Sequence, residues 1–115
     1  MSENEALERR VQLSRLYDLY GPLLTERQRR VYEMHELDDL SLSEIADELG
    51  ISRQGVSDQL QRARDRLDEI ETLLGCGERF RRIEAEARAI RDGENPQRHA
   101  AAIVEACEGR TMNHV

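Results

Sequence analysis

Arg53, Gln54, Ser57 and Gln61 follow one another at helical spacing, and these are side-chain types that read nucleic acid. A glutamine amide matches the donor and acceptor edge of adenine, an arginine guanidinium matches guanine or a phosphate, and a serine hydroxyl serves either. With Val56 set at zero and about 100° per residue, Leu60, Ala63 and Leu67 fall within about 40° of it, which makes one face apolar. The opposite stripe carries Gln54, Asp58, Gln61 and Asp65, with Ser57 on one flank and Arg62 on the other. Arg53 stands in the first turn, where unpaired backbone N–H groups add an attraction for phosphate. Asp58 and Asp65 oppose this chemistry, because carboxylates repel phosphates; only an aspartate set on a cytosine amino group would help.

A second basic cluster, Arg27, Arg29 and Arg30, lies in the first turns of the preceding helix. In a nucleic-acid-binding unit that helix contacts the backbone, so Arg27 and Arg30 are candidate phosphate ligands. The ordinary alternative is pairing along the helix, Glu26 with Arg30 and Arg29 with Glu33. Arg79, Arg81 and Arg82 have the same alternative in Glu84 and Glu86. His35, His99 and His114 are scattered and share no metal-ligand spacing with Cys76 or Cys107. No glycine-rich phosphate loop follows a strand. The reading is a protein with no catalytic residues, no cofactor and no metal.

The elements that must position these side chains are all helical, for no alternating strand pattern occurs. A first helix from about Glu3 to Tyr20 opens on Ser2-x-x-Glu5 and turns Leu13, Leu16, Tyr17 and Tyr20 inward. Gly21-Pro22 ends it. A second, from Thr25-x-x-Gln28 to about Asp38, buries Val31, Met34 and Leu37. A third starts at Ser41-x-x-Glu44; each opening is a capping box. Leu42, Ile45, Ala46 and Leu49 form its apolar side, Gly50 makes the turn, and Ile51 plugs the angle before the next helix. The small Ala46 allows close approach, so residues 42–60 read as a helix-turn-helix. Ser52 caps a long fourth helix from Arg53 to Leu74, with Val56, Leu60, Ala63, Leu67, Ile70 and Leu74 at 4-3-4-3-4 spacing. The later anchors need cover from the first helix, the C-terminal helices or a second copy. After the Gly75-Cys76-Gly77 break come a fifth helix, about Glu78 to Arg91, and a sixth, about Gln97 to Glu108, separated by Gly93-Glu94-Asn95-Pro96.

The bulk properties narrow the setting. The chain has 115 residues, 36% of them charged, and a formal net charge of −7. Nearly all the acidic excess lies in residues 1–51, and no segment is a basic block. All 17 basic residues are arginine, which fits either codon bias or the bidentate pairing that arginine makes better than lysine. No long apolar run or basic-apolar leader is present, so membrane insertion and export are not expected. Two cysteines make no disulfide framework, and the expected compartment is the cytoplasm.

Leu19-Tyr20-Gly21-Pro22-Leu23-Leu24-Thr25-Glu26-Arg27-Gln28, Ser41-Leu42-Ser43-Glu44-Ile45-Ala46 and Gly50-Ile51-Ser52-Arg53-Gln54-Gly55-Val56-Ser57-Asp58 together resemble the YlxM family. These are small bacterial helix-turn-helix proteins similar in this part to region four of sigma factors. The resemblance covers residues 11–75 well and Phe80–Ile90 loosely; beyond Pro96 no counterpart is expected. It implies an accessory or regulatory role in the signal recognition particle pathway, through the particle's RNA or its protein components. Arg53, Gln54 and Ser57 match the family's helix-turn-helix pattern. Gly55 stands where alanine is expected, at a cost of up to about 1 kcal/mol in helix propensity.

The expected fold is therefore all-α: a sigma-region-four-like helix-turn-helix bundle with a long fourth helix and a C-terminal helical extension. Residues 1–75 form the helix-turn-helix domain, and 76–115 an element for packing or dimerisation in a homodimer. The expected function is nucleic-acid binding in the signal recognition particle pathway. The alternative is a transcriptional regulator that binds duplex DNA. The candidate contact residues are Arg53, Gln54, Ser57, Gln61, Arg27 and Arg30.

Overall fold

The computed structural model describes residues 2–109; His114 lies outside them. Six α-helices follow in order: α1 (Glu3–Tyr20), α2 (Glu26–Glu36), α3 (Leu42–Leu49), α4 (Arg53–Leu74), α5 (Cys76–Arg91) and α6 (Pro96–Glu108), with a 3-10 turn at Gly21–Leu23. No strand occurs among the described residues, so the fold is all-α. The chain divides into two compact units, Met1–Thr72 and Leu73–Val115.

Local chemistry sets the helix starts. The Ser2 hydroxyl accepts from the Glu5 N–H at 3.1 Å. Thr25 with Gln28 and Ser41 with Glu44 form complete capping boxes, each satisfying two backbone N–H groups that the helix leaves unpaired. Ser52 Oγ accepts from the Gly55 N–H at 2.9 Å and opens α4. Between α3 and α4 the turn is made by Gly50, left-handed at φ 69°, with the Gly50 and Ile51 N–H groups both donating to Ala46 O. A Cβ at Gly50 would meet no neighbouring atom, so glycine is required there by backbone conformation and not by space.

The core of the first unit comprises Leu13, Leu16 and Tyr20 from α1, Leu24 after the 3-10 turn, Val31, Tyr32 and Met34 from α2, Ile45 and Ala46 from α3, and Val56, Leu60, Ala63, Leu67 and Ile70 from α4. Ile45, Leu67, Val31 and Val56 are the largest side chains sealed completely from solvent. Polar links join the helices around this core. Arg9 of α1 makes a two-pronged pair with Asp68 of α4, and the Tyr20 hydroxyl donates to Glu71 at 2.7 Å. These links flank Leu67 and Ile70, so α1 lies against that part of α4, the first of the three coverings left open by the sequence. Glu36 of α2 receives Arg10 from α1 and Arg64 from α4, each at 3.3 Å. Tyr17 and Tyr32 stack with ring centroids 4.6 Å apart.

Two inward assignments are corrected. Leu37 is 65% exposed because α2 ends at Glu36. The Asp38 N–H turns back to Glu33 O, Leu40 N–H reaches Met34 O, and Asp39 adopts φ 57°. Aspartate tolerates the left-handed conformation better than most residues, and the reversal puts Leu37 on the outside. Leu74 is likewise exposed, and the buried seam of α4 ends at Ile70.

In the second unit α5 and α6 form a helical hairpin. Only Gly75 breaks the chain, at φ 66°; Cys76 and Gly77 are the first residues of α5, earlier than the expected start at Glu78. Gly93 turns at φ 84°, Asn95 caps α6 by accepting from the Arg98 N–H at 3.1 Å, and Pro96 occupies the first helical position. His99 of α6 bonds Glu86 of α5 across the hairpin. Ala106 is buried, whereas α5 contributes no buried residue.

Candidate nucleic-acid interface

Ser52 and Gly50 fix where the candidate reading helix starts. The cap leaves Arg53 and Gln54 exposed in the first turn of α4, with Ser57 half-buried one turn on. Burial of Val56 and Leu60 sets the rotation of α4 and turns Gln54, Asp58, Gln61 and Asp65 outward, as the angular projection requires. On this face the glutamines are not free. Gln54 Nε2 donates to Asp58 Oδ1 and Gln61 Nε2 to Asp65 Oδ1, both at 2.9 Å. Each amide keeps a second N–H and its oxygen for a ligand, but each sits beside a carboxylate. The face is polar and mixed in charge.

The arginines of the first unit fall into two groups. Arg9, Arg10, Arg64 and Arg66 are held in ion pairs with Asp68, Glu36, Glu36 and Glu69 respectively. Arg15, Arg27, Arg29, Arg30, Arg53 and Arg62 are exposed and belong to no ion pair among the described residues. The intrahelical pairing considered for α2 does not form: Glu33 instead accepts a hydrogen bond from the Tyr17 hydroxyl. In the second unit Arg81 pairs with Glu78 and Arg88 with Glu84, while Glu86 is taken by His99, so the pairing expected for the Arg79–Arg82 cluster is re-partnered.

Two grooves separate the candidate residues. Arg30 borders an open groove between α2 and α3 of about 390 Å³, together with Arg29, Met34, Leu40 and the carboxylates of Glu26, Glu33, Asp38 and Glu48. Gln61 borders a different one, lined also by Arg9, Arg10, Tyr32 and Arg64. Arg53, Gln54 and Ser57 line neither. The six candidates thus lie in three places: Arg53, Gln54 and Ser57 at the start of α4, Arg30 on the α2–α3 groove with Arg27 beside it in sequence, and Gln61 apart from both.

Electrostatics around these grooves is set by burial and pairing. Burial pushes the Glu36 carboxyl up, but His35 and Arg10 outweigh it and hold it below the usual carboxylate range. The Glu44 carboxyl is lowered by the Ser41 backbone N–H and hydroxyl of its capping box. Tyr17 is raised well above an ordinary phenol, first by burial and then by its bond to Glu33. No group of three or more His, Cys, Asp or Glu able to hold a metal ion occurs among the described residues. No helix among them is long and apolar enough to cross a membrane.

Comparison with known proteins places this geometry in a family. The model of the UPF0122 family, described as "Putative helix-turn-helix protein, YlxM / p13 like", matches residues 7–106. A UPF0122 protein of Bacillus thuringiensis (strain Al Hakam) is 37% identical over 106 residues, covering 89% of this chain and 96% of that protein. One from Thermoanaerobacter sp. (strain X514) is 47% identical over 78 residues, covering 68% and 67%. One from Caldanaerobacter subterraneus subsp. tengcongensis is 57% identical over 60 residues, covering 52% and 51%. The family match reaches residue 106 and so takes in most of α6, which corrects the expectation that nothing beyond Pro96 has a counterpart. The chain belongs to the UPF0122 family of YlxM / p13 like helix-turn-helix proteins.

Proposed function

We propose that this protein is an RNA-binding accessory factor of the signal recognition particle pathway, acting in the cytoplasm through its helix-turn-helix. One observation carries the nucleic-acid reading: Arg27, Arg29 and Arg30 of α2 and Arg53 at the start of α4 are exposed and in no ion pair among the described residues, as are Arg15 and Arg62, while Arg9, Arg10 and Arg64 are paired. Unpaired surface guanidinium groups on a helix-turn-helix suit phosphate, which they can contact in a bidentate manner. The net charge of −7 and the carboxylates beside Gln54 and Gln61 disfavour indiscriminate adsorption to a duplex. They favour a ligand whose shape brings phosphates to a few points. The link to the signal recognition particle rests on the YlxM resemblance.

The test is fluorescence anisotropy with the particle's RNA and with a random duplex DNA pool, followed by GTP turnover of the particle with its receptor. The expected result is RNA binding at least tenfold tighter than duplex binding, and a changed turnover rate. Failure to bind the RNA or to alter turnover overturns the proposal. A second reading, a transcriptional regulator acting as a homodimer, is favoured by Arg53 and Gln54 at the start of the reading helix. It requires an enriched sequence after selection from the duplex pool.

A further inference from the structure

The outward face of α4 carries one arrangement twice. Gln54 and Asp58 stand four residues apart, and Gln61 and Asp65 repeat them seven positions on. In both pairs the glutamine Nε2 donates to the aspartate Oδ1 at 2.9 Å, and all four side chains are exposed. A glutamine on a helix surface turns its amide freely, so a ligand meets oxygen and nitrogen in either order. A carboxylate removes that freedom. It accepts hydrogen bonds and donates none, so only the NH2 end of the amide faces it. Asp58 and Asp65 therefore fix which end of each amide is turned away. Each glutamine is left with its carbonyl oxygen and one N–H, an acceptor and a donor in a set order.

Bases differ in what they offer such a group. The N6 amino donor of adenine lies beside the N7 acceptor, so one edge engages both parts of the amide. Guanine presents two acceptors there, N7 and O6; uracil presents O4, and cytosine its amino donor alone. The carboxylate discriminates in the same direction, because it repels the acceptor edge of guanine and tolerates an amino group. We propose that the Gln54–Asp58 and Gln61–Asp65 pairs are two adenine-reading units, each aspartate being the positioning residue for its glutamine. This inference rests on the RNA-binding reading and adds base selectivity to it. The two amides lie two turns apart, about 10 Å along α4, so each takes its own adenine. Those adenines belong to loops or bulges, since the major groove of an RNA duplex is too narrow for side chains. The two carboxylates thus lower the attraction for phosphate and raise the discrimination among bases.

The probes are a labelled oligoadenylate of twelve residues and its 7-deazaadenosine counterpart, which lacks only the N7 acceptor. Both are titrated with the full chain, beside the particle's RNA. Wild type should bind the oligoadenylate roughly fivefold tighter or more, since each unit loses one of its two base contacts in the counterpart. Gln54→Ala/Gln61→Ala should bring the ratio near one. Asp58→Ala/Asp65→Ala should do the same, although it removes negative charge and leaves both glutamines in place. Asp58→Asn/Asp65→Asn retains an acceptor oxygen for each amide and should keep a higher ratio than the aspartate-to-alanine pair. Support of the helix surface alone would move the circular-dichroism melt and leave this ratio untouched. Equal binding of the two oligomers by wild type overturns the inference while RNA binding stands. So does a ratio that survives either alanine pair, or binding of the particle's RNA without binding of oligoadenylate. Loss of binding to the particle's RNA as well removes the RNA reading itself, and this inference with it.

Discussion

Replacing Asp58 by asparagine should strengthen nucleic-acid binding, by an amount that the structure sets. Asp58 Oδ1 accepts from Gln54 Nε2 at 2.9 Å. A phosphate oxygen bonded to the other N–H of Gln54 would stand about 3 Å from that nitrogen and therefore about 6 Å from the carboxylate. At that separation, with the dielectric of water, the repulsion is about 0.7 kcal/mol, a factor of about three in affinity. Removing Asp65 as well, beside Gln61, should bring the gain to roughly tenfold if the two sites act independently. A screening length of about 8 Å at 0.15 M ionic strength halves each effect, so the measurement belongs at low salt. Fluorescence anisotropy of the particle's RNA against wild type, Asp58→Asn and Asp58→Asn/Asp65→Asn provides the assay. Asp92→Asn, in the second unit, controls for net charge. An unchanged affinity in Asp58→Asn would mean that this face of α4 is turned away from the ligand. A weakened one would mean that the carboxylate itself holds a base, and either result refutes the electrostatic argument.

Further substitutions test the fold that presents this face. Leu67→Ala, at a fully buried position, should cost about 2–5 kcal/mol in urea denaturation, whereas the exposed Leu37 should tolerate alanine with little change. Gly50→Ala should cost about 1–2 kcal/mol through its left-handed backbone alone, because no neighbour would meet the new Cβ. Gly55→Ala would bring its Cβ within 3.2 Å of Ser52 Oγ; the helix-propensity gain should exceed the cost of shifting that hydroxyl, giving a net stabilisation below about 1 kcal/mol. Because the phenol of Tyr17 is raised by burial and by Glu33, its contribution is complete below about pH 10 and is lost as pH rises further. Tyr17→Phe should therefore flatten the fall in melting temperature above pH 10. Glu36 has the opposite sign: its lowered carboxyl contributes above the ordinary carboxylate range and fails as pH falls below about 4. Glu36→Gln should correspondingly flatten the acid limb.

Local signals were the legible ones. Ser2, Thr25, Ser41 and Ser52 each open a helix by accepting a backbone N–H, and short-range rules of this kind need no knowledge of the tertiary fold. The rotation of α4 was equally readable, since Val56, Leu60, Ala63, Leu67 and Ile70 have a single periodicity. The end of α2 was not. Leu37 continues the periodicity of Val31 and Met34, but Asp39 reverses the chain in a left-handed conformation that an Asp-Asp pair allows without demanding.

Long-range partners were also hidden. Nothing in the local pattern tells Glu33 to take Tyr17 in place of Arg29, or Glu36 to collect arginines from α1 and α4. A helix surface offers each charge several neighbours of similar energy, and packing decides among them. One signal was available and unread. The Leu7, Val11, Ser14, Asp18 stripe of α1 has the same spacing as the seam of α4, and it borders a cleft lined also by Leu37. Among the candidate contacts, the spacing put Gln61 on the stripe of Gln54. Only the tertiary arrangement sets Gln61 on the groove lined by Arg9, Arg10 and Arg64.

The central claim is that Arg27, Arg30 and Arg53 meet the phosphates of an RNA. Its most direct measurement is the salt dependence of binding to the particle's RNA, wild type against Arg27→Ala/Arg30→Ala/Arg53→Ala. Three phosphate contacts predict that log affinity falls with log salt at a slope about 2–3 units less steep in the triple variant. Between 50 and 200 mM salt the wild type should lose about 20- to 40-fold more affinity than the variant. Parallel salt dependences with equal affinities would contradict the account, because the three arginines would then stand away from the ligand.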